Sequence, residues 1–500
     1  MAHRDVRLGR RALLKGVGAG AALGPAALLG RAHGQSAPRD PRFLVVVAGA
    51  GGASIIDSFL ALRESEVGAA ADTLNCFPDA EVQSFDGSPF RAVSLQDTSA
   101  VGAIPLPFSS DQPGFVRKWK DELMVVTQTG TSVNHQVAQK RSITGNEAFG
   151  GRTLQEAVAA HHGEGYPLPN VNMSGGGFIE PGIDPTVPSW ARAEPVAEAA
   201  LWPLSLHGSR GIEGAPSPDR VRRARALRDQ HLDPESVFGR TFSRSERLEL
   251  WRSQRAQQAR IEDLDLISRL NVFPDLPPFI PLTRYGLDAS PDGAKVREAF
   301  PRFLDDPFEA QAALAFLLIK NRVSVTVTIS PSFSVLLDTR PPPSVVNPPL
   351  AFDFSHNAHR AGQAVMWGRI LSVADRLASL LRSEELSDGV SFWDRTCIYF
   401  ATEFGRTRRR PARAAEFGTS HDLNNGFALL SPLVNGGRVL GGVDPSTGST
   451  FGFDPEDPVG TPRPGTHMNE AQIYAGILHA LGVPTPGHDL PDMRAMRKRA

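Results

Sequence analysis

A carboxylate and two imidazoles fall within one seven-residue segment in the second half of the chain. Asp353, His356 and His359 lie in Asp-Phe-Ser-His-Asn-Ala-His, directly before a predicted helix. Carboxylate oxygens and imidazole nitrogens at this spacing suit a divalent metal ion, zinc above all. The alternative is structural: Asp353 would cap the start of the helix, and both histidines would be polar surface residues. We expect all three side chains to be metal ligands.

A further acidic residue follows a predicted buried strand. Glu403 comes directly after the strand and begins the segment Glu-Phe-Gly-Arg-Thr, in which Arg406 is the basic residue. A carboxylate at a strand tip can bind a cation, and an arginine can pair with an anion through two parallel hydrogen bonds. A structural ion pair between Glu403 and Arg406 is the alternative. We predict Glu403 as a metal ligand and Arg406 as a catalytic residue.

Two more histidines stand in polar loops. His421 adjoins Asp422 in a glycine-bounded loop, where one of the two can bind a metal while the other orients a neighbour. An ordinary turn is the alternative for this loop. His135 follows a predicted strand end, and there it can act as acid, base or ligand, or can be a polar residue with satisfied hydrogen bonds. We predict His421 as a metal ligand and His135 as a catalytic residue.

A nucleophilic hydroxyl is harder to find. The chain lacks the Gly-x-Ser-x-Gly turn that presents the nucleophile of α/β-hydrolases. Ser54 and Thr131 each follow the end of a predicted strand, and they are the two hydroxyl candidates. We assign the catalytic role to Ser54.

These residues are positioned by strands that alternate with helices. Such alternation predicts an α/β fold: a three-layer αβα sandwich with a mainly parallel sheet, whose sites form at the carboxyl ends of the strands. A glycine turn after the first strand leads into a helix expected near Ile55. We predict strands at 43–48, 123–128, 171–173, 323–329, 396–402 and 427–430, and helices at 151–161, 310–320, 361–381 and 472–481.

The N-terminus predicts export. Arg10 and Arg11 precede an apolar run, as in twin-arginine signal peptides, so we expect residues 1–34 to be removed after passage through the twin-arginine translocase. The mature protein would then work in the periplasm or outside the cell. It would comprise one domain at 42–484, with a helical insertion at about 218–271, and a tail at 485–500.

Composition excludes two classes of partner. The net charge is −1, which gives no overall field that would attract nucleic acid. After residue 34 no apolar stretch reaches the roughly 20 residues that span a bilayer, so we expect no transmembrane anchor in the mature chain.

Together these motifs resemble an exported bacterial family designated domain of unknown function 1501, which is related to the alkaline phosphatase and sulfatase superfamily. The resemblance covers most of residues 42–484. It is carried by Leu-Val-Val-Val and the glycine turn after it, by His-Gln-Val-Ala-Gln at 135–139, by Phe-Asp at 352–353, and by the segments 403–407 and 436–442.

The resemblance implies an alkaline-phosphatase-like fold and hydrolysis of a small anionic ester, a phosphate or a sulfate, at one or two metals. Asp353 with His356 or His359 resembles the carboxylate–histidine pair that binds one metal, and Glu403 resembles the strand-tip acid of the other. The chain departs from the family pattern at three places: Ser420 replaces an aspartate, Asp57 lies later than expected, and Asn134 stands where serine is common. A catalytically inactive secreted binding or scaffold protein that keeps the fold is therefore the alternative function.

Overall fold

The computed structural model describes most of the chain between residues 40 and 498. The predicted signal peptide at 1–34 lies outside the described residues, as do the last two residues of the predicted tail. The other segments outside the description are 95–96, 102–110, 207–213, 250, 253–254, 256–263, 275–281, 283–289, 332–335, 339–343 and 347–350.

An eight-stranded sheet lies at the centre of the described structure, with its strands in the order β8-β2-β7-β6-β1-β5-β3-β4. Seven strands are parallel to one another and β7 is antiparallel to both of its neighbours. The predicted α/β class with a mainly parallel sheet is confirmed. In chain order the strands are β1 (Phe43–Gly49), β2 (Leu123–Thr129), β3 (Asn170–Asn172), β4 (Glu194–Pro195), β5 (Thr326–Ile329), β6 (Thr396–Thr402), β7 (Asn424–Leu430) and β8 (Arg438–Leu440).

The apolar run in β1 explains its central place. All seven of its residues are buried, and it pairs in parallel with β6 on one side and β5 on the other. A strand covered on both faces needs apolar side chains at every position rather than at alternate ones. The carboxyl ends of β1 and β6 consequently meet at the same edge of the sheet, with Gly49 opposite Thr402.

Strand β7 reaches this edge from the other direction. The chain leaves β6 there, forms a short antiparallel pair between Gly405–Arg406 and His421–Asp422, and then runs back along β7. Parallel neighbours need a crossover, usually a helix, whereas the described residues between β6 and β7 contain none. The beginning of β7 therefore lies beside the ends of β2 and β6.

Helices pack against the sheet in two groups, an arrangement compatible with three layers. One group contains α1, α6 and α7, and the other contains α2, α3 and α8. The helices of seven or more residues that lie wholly within the described residues are α1 (Gln112–Trp119), α2 (His135–Thr144), α3 (Leu154–His162), α4 (Pro218–Leu227), α5 (Gly293–Ala299), α6 (Pro307–Lys320), α7 (His359–Ser383) and α8 (Glu470–Ala480).

Smaller elements complete the described chain. Short α-helical turns lie at Glu64–Val67, Asp233–Glu235, Val237–Thr241 and Leu266–Leu270. Short strands lie at Val82–Ser84, Arg91–Val93, Leu336–Asp338, Ser344–Val346, Glu385–Ser387, Val390–Ser391, Gly442–Val443, Thr450–Phe453 and Pro462–Arg463. Among the residues that the structure describes, no helix combines the length and the apolar character needed to cross a bilayer.

The helix predicted near Ile55 is wrong. The chain forms a single 3₁₀ turn, Ile55–Asp57, and Ser58 then leaves helical geometry with φ at −147°. The turn lies in the protein interior. Both isoleucines and Asp57 are buried, and the Asp57 carboxylate accepts a hydrogen bond from His359 at the start of α7. A helix continuing outward would withdraw that carboxylate from its partner.

Candidate metal centre

Four side chains from three separate segments meet beyond the sheet edge at which β2 and β6 end. His135 is the first residue of α2, Asp353 and His356 belong to the 3₁₀ turn Ala351–His356, and His421 lies in the short strand pair before β7. One ligand atom of each side chain lies within 4.8 Å of the others, and the group could hold a metal ion. We call these four residues the histidine cluster.

The spacing of the ligand atoms fits a single metal ion. Asp353 Oδ1 lies 3.6 Å from His135 Nε2 and 3.5 Å from His356 Nε2. The Nε2 atoms of His356 and His421 are 3.0 Å apart. Because metal–nitrogen and metal–oxygen bonds are about 2.0–2.2 Å, tetrahedral ligand atoms stand roughly 3.3–3.6 Å from one another. The two separations from Asp353 lie within that range, and the distance between the two Nε2 atoms is shorter.

Hydrogen bonds at the far side of two rings leave their Nε2 atoms free to bind. His421 Nδ1 lies 2.9 Å from the carbonyl oxygen of Val133, which can only accept, so Nδ1 carries the proton. His135 Nδ1 lies 2.9 Å from Glu403 Oε1, and it donates to that carboxylate in the same way. Protein metal sites fix their histidines by this type of outer hydrogen bond. The Nε2 atoms of both rings therefore face the cluster.

The two rings differ in charge preference. The hydrogen bond to Glu403 raises the pKa of His135 against the opposing effect of partial burial, and Asp353 raises it further. Burial lowers the pKa of His421, and the charges of Arg406, His135 and His356 lower it further, although the bond to Val133 opposes them. The lowered pKa favours the neutral form of His421, which is the form that binds a metal ion, whereas the raised pKa of His135 favours a proton that a metal ion would have to displace.

Glu403, predicted as a ligand, lies behind the cluster rather than in it. Its side chain is buried at the end of β6, and Oε1 accepts hydrogen bonds from His135 Nδ1 and from the backbone N–H of Gly51. Its other oxygen, Oε2, has no hydrogen-bond partner among the described residues. These contacts make Glu403 the residue that orients His135.

The glycine turn after β1 allows this close packing. Gly51 has φ +94°, a region that favours glycine, and a Cβ atom there would overlap the backbone of Asp353. Gly418 provides a second close approach, because a Cβ atom at this position would overlap the carbonyl group of His356. Both glycines thus let the 3₁₀ turn that carries the cluster lie against its neighbours.

Arg406, predicted to pair with a substrate, is buried, and its guanidinium binds other groups of the protein. It forms an ion pair with Asp353 Oδ1 at 3.2 Å rather than with Glu403. Its guanidinium also donates to backbone carbonyl groups, those of Gly51, Phe352 and Thr419. In this arrangement Arg406 ties Asp353 to the glycine turn and fixes the carboxylate that faces the three rings.

His359 lies outside the cluster although it is three residues from His356. Its ring is fully buried, with Nε2 2.9 Å from Asp57 Oδ2 and Nδ1 3.1 Å from Thr419 Oγ1. Burial by itself would raise the pKa of Asp57, but the charge of His359 and hydrogen bonds from His359, Ser54 and Asn75 lower it. Both ring nitrogens of His359 are therefore engaged in holding the structure.

The start of α7 explains how His356 and His421 are brought together. The residue before the helix makes no side-chain cap; instead, the Glu416 carboxylate accepts from the backbone N–H groups of Arg360 and Ala361 at 2.9 and 2.8 Å. Asp353 does not cap this helix, which removes the structural alternative for it. The cap draws the segment before His421 against the segment that carries His356.

Neither hydroxyl candidate belongs to the cluster. Ser54 is buried, and its backbone N–H donates to Gln363 Oε1 at 2.8 Å. Thr131 Oγ1 lies 2.8 Å from Glu470 Oε1, to which it donates, and it accepts from Arg141 at 3.0 Å.

The sequence analysis missed two groups that position the rings of the histidine cluster. Phe404 is buried, and its ring stacks on His421 with centroids 4.1 Å apart and lies 5.0 Å from the ring of His135. Its place between Glu403 and Arg406 was the available signal. The carbonyl group of Val133 left no signal, because every residue has one.

No protein-family model and no curated protein matches this chain. The functional argument therefore depends on the geometry of the cluster.

Proposed function

We propose that the histidine cluster binds one divalent metal ion, zinc, and that the protein hydrolyses small phosphate or sulfate esters with water as the nucleophile. The observation that supports this most directly is the pair of Nε2 atoms of His356 and His421, which face each other at 3.0 Å. His421 Nδ1 donates to Val133, so in the metal-free protein His421 Nε2 accepts a hydrogen bond from His356 Nε2, and a bound cation would replace the proton that the two rings share. When bound, the metal ion would lower the pKa of a water molecule and offset the charge of the ester.

The chain's own residues account for the other requirements. The side chains of His135, Asp353 and His356 are 40–47% exposed, so a small ester can approach the cluster from solvent. Glu403 and Arg406 hold His135 and Asp353 in place from the buried side. Because Ser54 and Thr131 lie elsewhere, a covalent intermediate on a hydroxyl is not part of the proposal. The proposal extends to an alkaline-phosphatase-like fold and to export through the twin-arginine route.

A metal-binding scaffold without hydrolytic activity is the second candidate. It is favoured by Arg406, whose NH groups donate to backbone carbonyl groups and to Asp353 and whose remaining Nε is buried, so that an anion in solvent does not reach the guanidinium. Both candidates require the metal ion, and activity separates them.

The test measures metal content and ester hydrolysis on the same preparations. Protein expressed with zinc, manganese and calcium supplied is expected to retain about one zinc ion per chain, and the double variant Asp353→Ala/His356→Ala is expected to lose it. The matched control is Asp86→Ala/His231→Ala, which removes the same two residue types at exposed positions away from the cluster.

Three outcomes are distinguishable. Zinc together with chelator-sensitive hydrolysis of p-nitrophenyl phosphate or p-nitrophenyl sulfate supports the hydrolase. Zinc without hydrolysis of either ester assigns the scaffold. A wild-type protein that retains no metal after all three supplements contradicts both.

A further inference from the structure

The helical segment 218–252, described in full except for residue 250, presents a face of large apolar side chains to solvent. None of these side chains belongs to a hydrophobic core cluster of the described structure. Exposed apolar side chains mark a binding site where they are contiguous, as Phe238, Phe242 and Trp251 are. The six side chains, which are between 48% and 74% exposed, are Leu227, Leu232, Val237, Phe238, Phe242 and Trp251.

Part of this face is a groove. Phe238, Phe242, Leu248 and Trp251 line a volume of about 310 Å³, together with Arg247. The two phenylalanine rings lie 4.9 Å apart. The aromatic rings thus form a preformed surface.

Polar contacts hold the segment in this shape. Arg255 stacks on the ring of Trp251 at 4.0 Å and forms ion pairs with Asp229, at 3.1 Å, and with Asp233. Ser236 caps the turn Val237–Thr241 through the backbone N–H of Gly239. Arg255 covers one side of the Trp251 ring, while about half or more of each of the Phe238, Phe242 and Trp251 side chains stays exposed.

The same segment is basic. Residues 218–255 contain ten arginines and six acidic residues, whereas the whole chain has a net charge of −1. Several arginines lie exposed with no carboxylate partner among the described residues, and Arg247 belongs to the groove itself. These arginines are Arg220, Arg223, Arg240, Arg244 and Arg247.

We propose that residues 218–252 bind the surface of an anionic phospholipid bilayer. Aromatic and aliphatic side chains on one face with arginines beside them are typical of segments that lie in the membrane interface. Arginines near the surface add electrostatic attraction to anionic headgroups. A second copy of the chain fits less well, because a symmetric dimer brings each patch against itself and opposes like charges. This inference is independent of the proposed hydrolysis.

The test is sedimentation of the full chain with sucrose-loaded vesicles. We expect binding to an equimolar mixture of phosphatidylglycerol and phosphatidylcholine, with affinity at least about tenfold lower for phosphatidylcholine alone and decreasing as salt is added. The variant Phe238→Ser/Trp251→Ser is expected to lose binding. Arg240→Gln/Arg244→Gln/Arg247→Gln is expected to weaken it by about tenfold or more.

Matched controls distinguish binding by this segment from non-specific adsorption of the protein to vesicles. Leu304→Ser/Val459→Ser replaces two apolar side chains that are equally exposed but lie outside the segment, and it should bind as the wild type does. Trp251→Phe should still bind, but without the blue shift of tryptophan emission that accompanies entry into lipid. The circular dichroism spectrum and the thermal unfolding midpoint of every variant should equal those of the wild type, which shows that the fold is intact whether or not the protein binds a metal ion.

The proposal is overturned if the wild type does not sediment with the anionic vesicles at low salt, or if Phe238→Ser/Trp251→Ser binds them equally well. A dimer in analytical ultracentrifugation that this double variant abolishes, without vesicle binding by the wild type, would assign the surface to a second copy.

Discussion

His356 and His359 are three residues apart, yet they lie in opposite environments. His356 is exposed and its Nε2 faces another Nε2 at 3.0 Å, whereas His359 is fully buried and both of its nitrogens have partners. Two non-helical residues, Asn357 and Ala358, separate an exposed ring of the histidine cluster from a buried ring that holds the structure. The comparison shows that residue type and spacing identify a region for chemistry, while the far side of each ring decides which residue performs it.

The largest effect is expected when the buried ring of His359 is removed. His359→Ala leaves the buried Asp57 carboxylate with hydrogen bonds from Ser54 and Asn75 but without its ion-pair partner, so we expect the free energy of unfolding to fall by about 3–5 kcal/mol. Urea unfolding of the metal-free protein measures the change. An effect below about 1 kcal/mol would show that the buried pair contributes little to the fold.

Removing the exposed ring of His356 should have the opposite pair of effects: a large loss of zinc affinity and little change in stability. We expect His356→Ala to lower zinc affinity by about 100-fold or more, because a ligand is lost, and to change the stability of the metal-free protein by no more than about 0.5 kcal/mol. Competition with a chromophoric chelator gives the affinity. If zinc binds His356→Ala as tightly as the wild type, His356 is not a ligand.

A smaller effect is expected behind the cluster. Glu403→Gln keeps an oxygen that accepts from His135 Nδ1 but loses the charge, so we predict a loss of zinc affinity of about tenfold. In the metal-free variant the raised pKa of His135 should move down towards its ordinary value, as NMR titration of the ring can show. Glu470→Gln is the control, because it alters another buried carboxylate that contacts Thr131 instead. Equal effects of the two variants would assign Glu403 a general structural role.

The smallest effect concerns acid stability. The pKa of Asp57 in the folded state lies below its ordinary value of 3.8, so the folded state holds fewer protons on this residue than the unfolded chain in that range. The stabilisation is therefore complete above pH 3.8 and is lost as the pH falls through the folded-state pKa. The stability difference between the wild type and Asp57→Asn should narrow below pH 3.8, as measured by denaturant unfolding of metal-free protein. A difference that is constant from pH 7 to pH 3 would contradict the sign of the shift.

Apolar runs and their alternation were enough to predict six of the eight strands of the central sheet, whereas the short edge strands β4 and β8 were missed. The strand predicted at 396–402 is β6 with the same bounds, and the strands predicted at 43–48 and 123–128 are one residue longer in the structure. A continuous apolar run indicates that both faces of a strand are buried, and this can be inferred from the residues of the strand alone. The antiparallel direction of β7 was not predictable from it, because direction depends on how residues 403–423 turn rather than on the strand itself.

The sequence was enough to predict which residues gather at the candidate site, but not the role of each residue. His135 was assigned to catalysis, and it stands with Asp353, His356 and His421 in the cluster. The roles of Glu403 and Arg406 could not be read from the sequence, since they depend on contacts with the glycine turn around Gly51, far away in the chain. Long-range pairing of this kind leaves no local pattern.

The central place of β1 has a consequence for synthesis. The strand emerges early from the ribosome, but β5 and β6, which cover its two edges, are made only when residues 326–329 and 396–402 have been added. At about 5–20 residues per second, the nascent chain carries an unpaired apolar strand for on the order of tens of seconds. An open edge of this kind invites aggregation, so the chain should depend on chaperones during translation more than a protein of the same size with neighbouring strands paired in order.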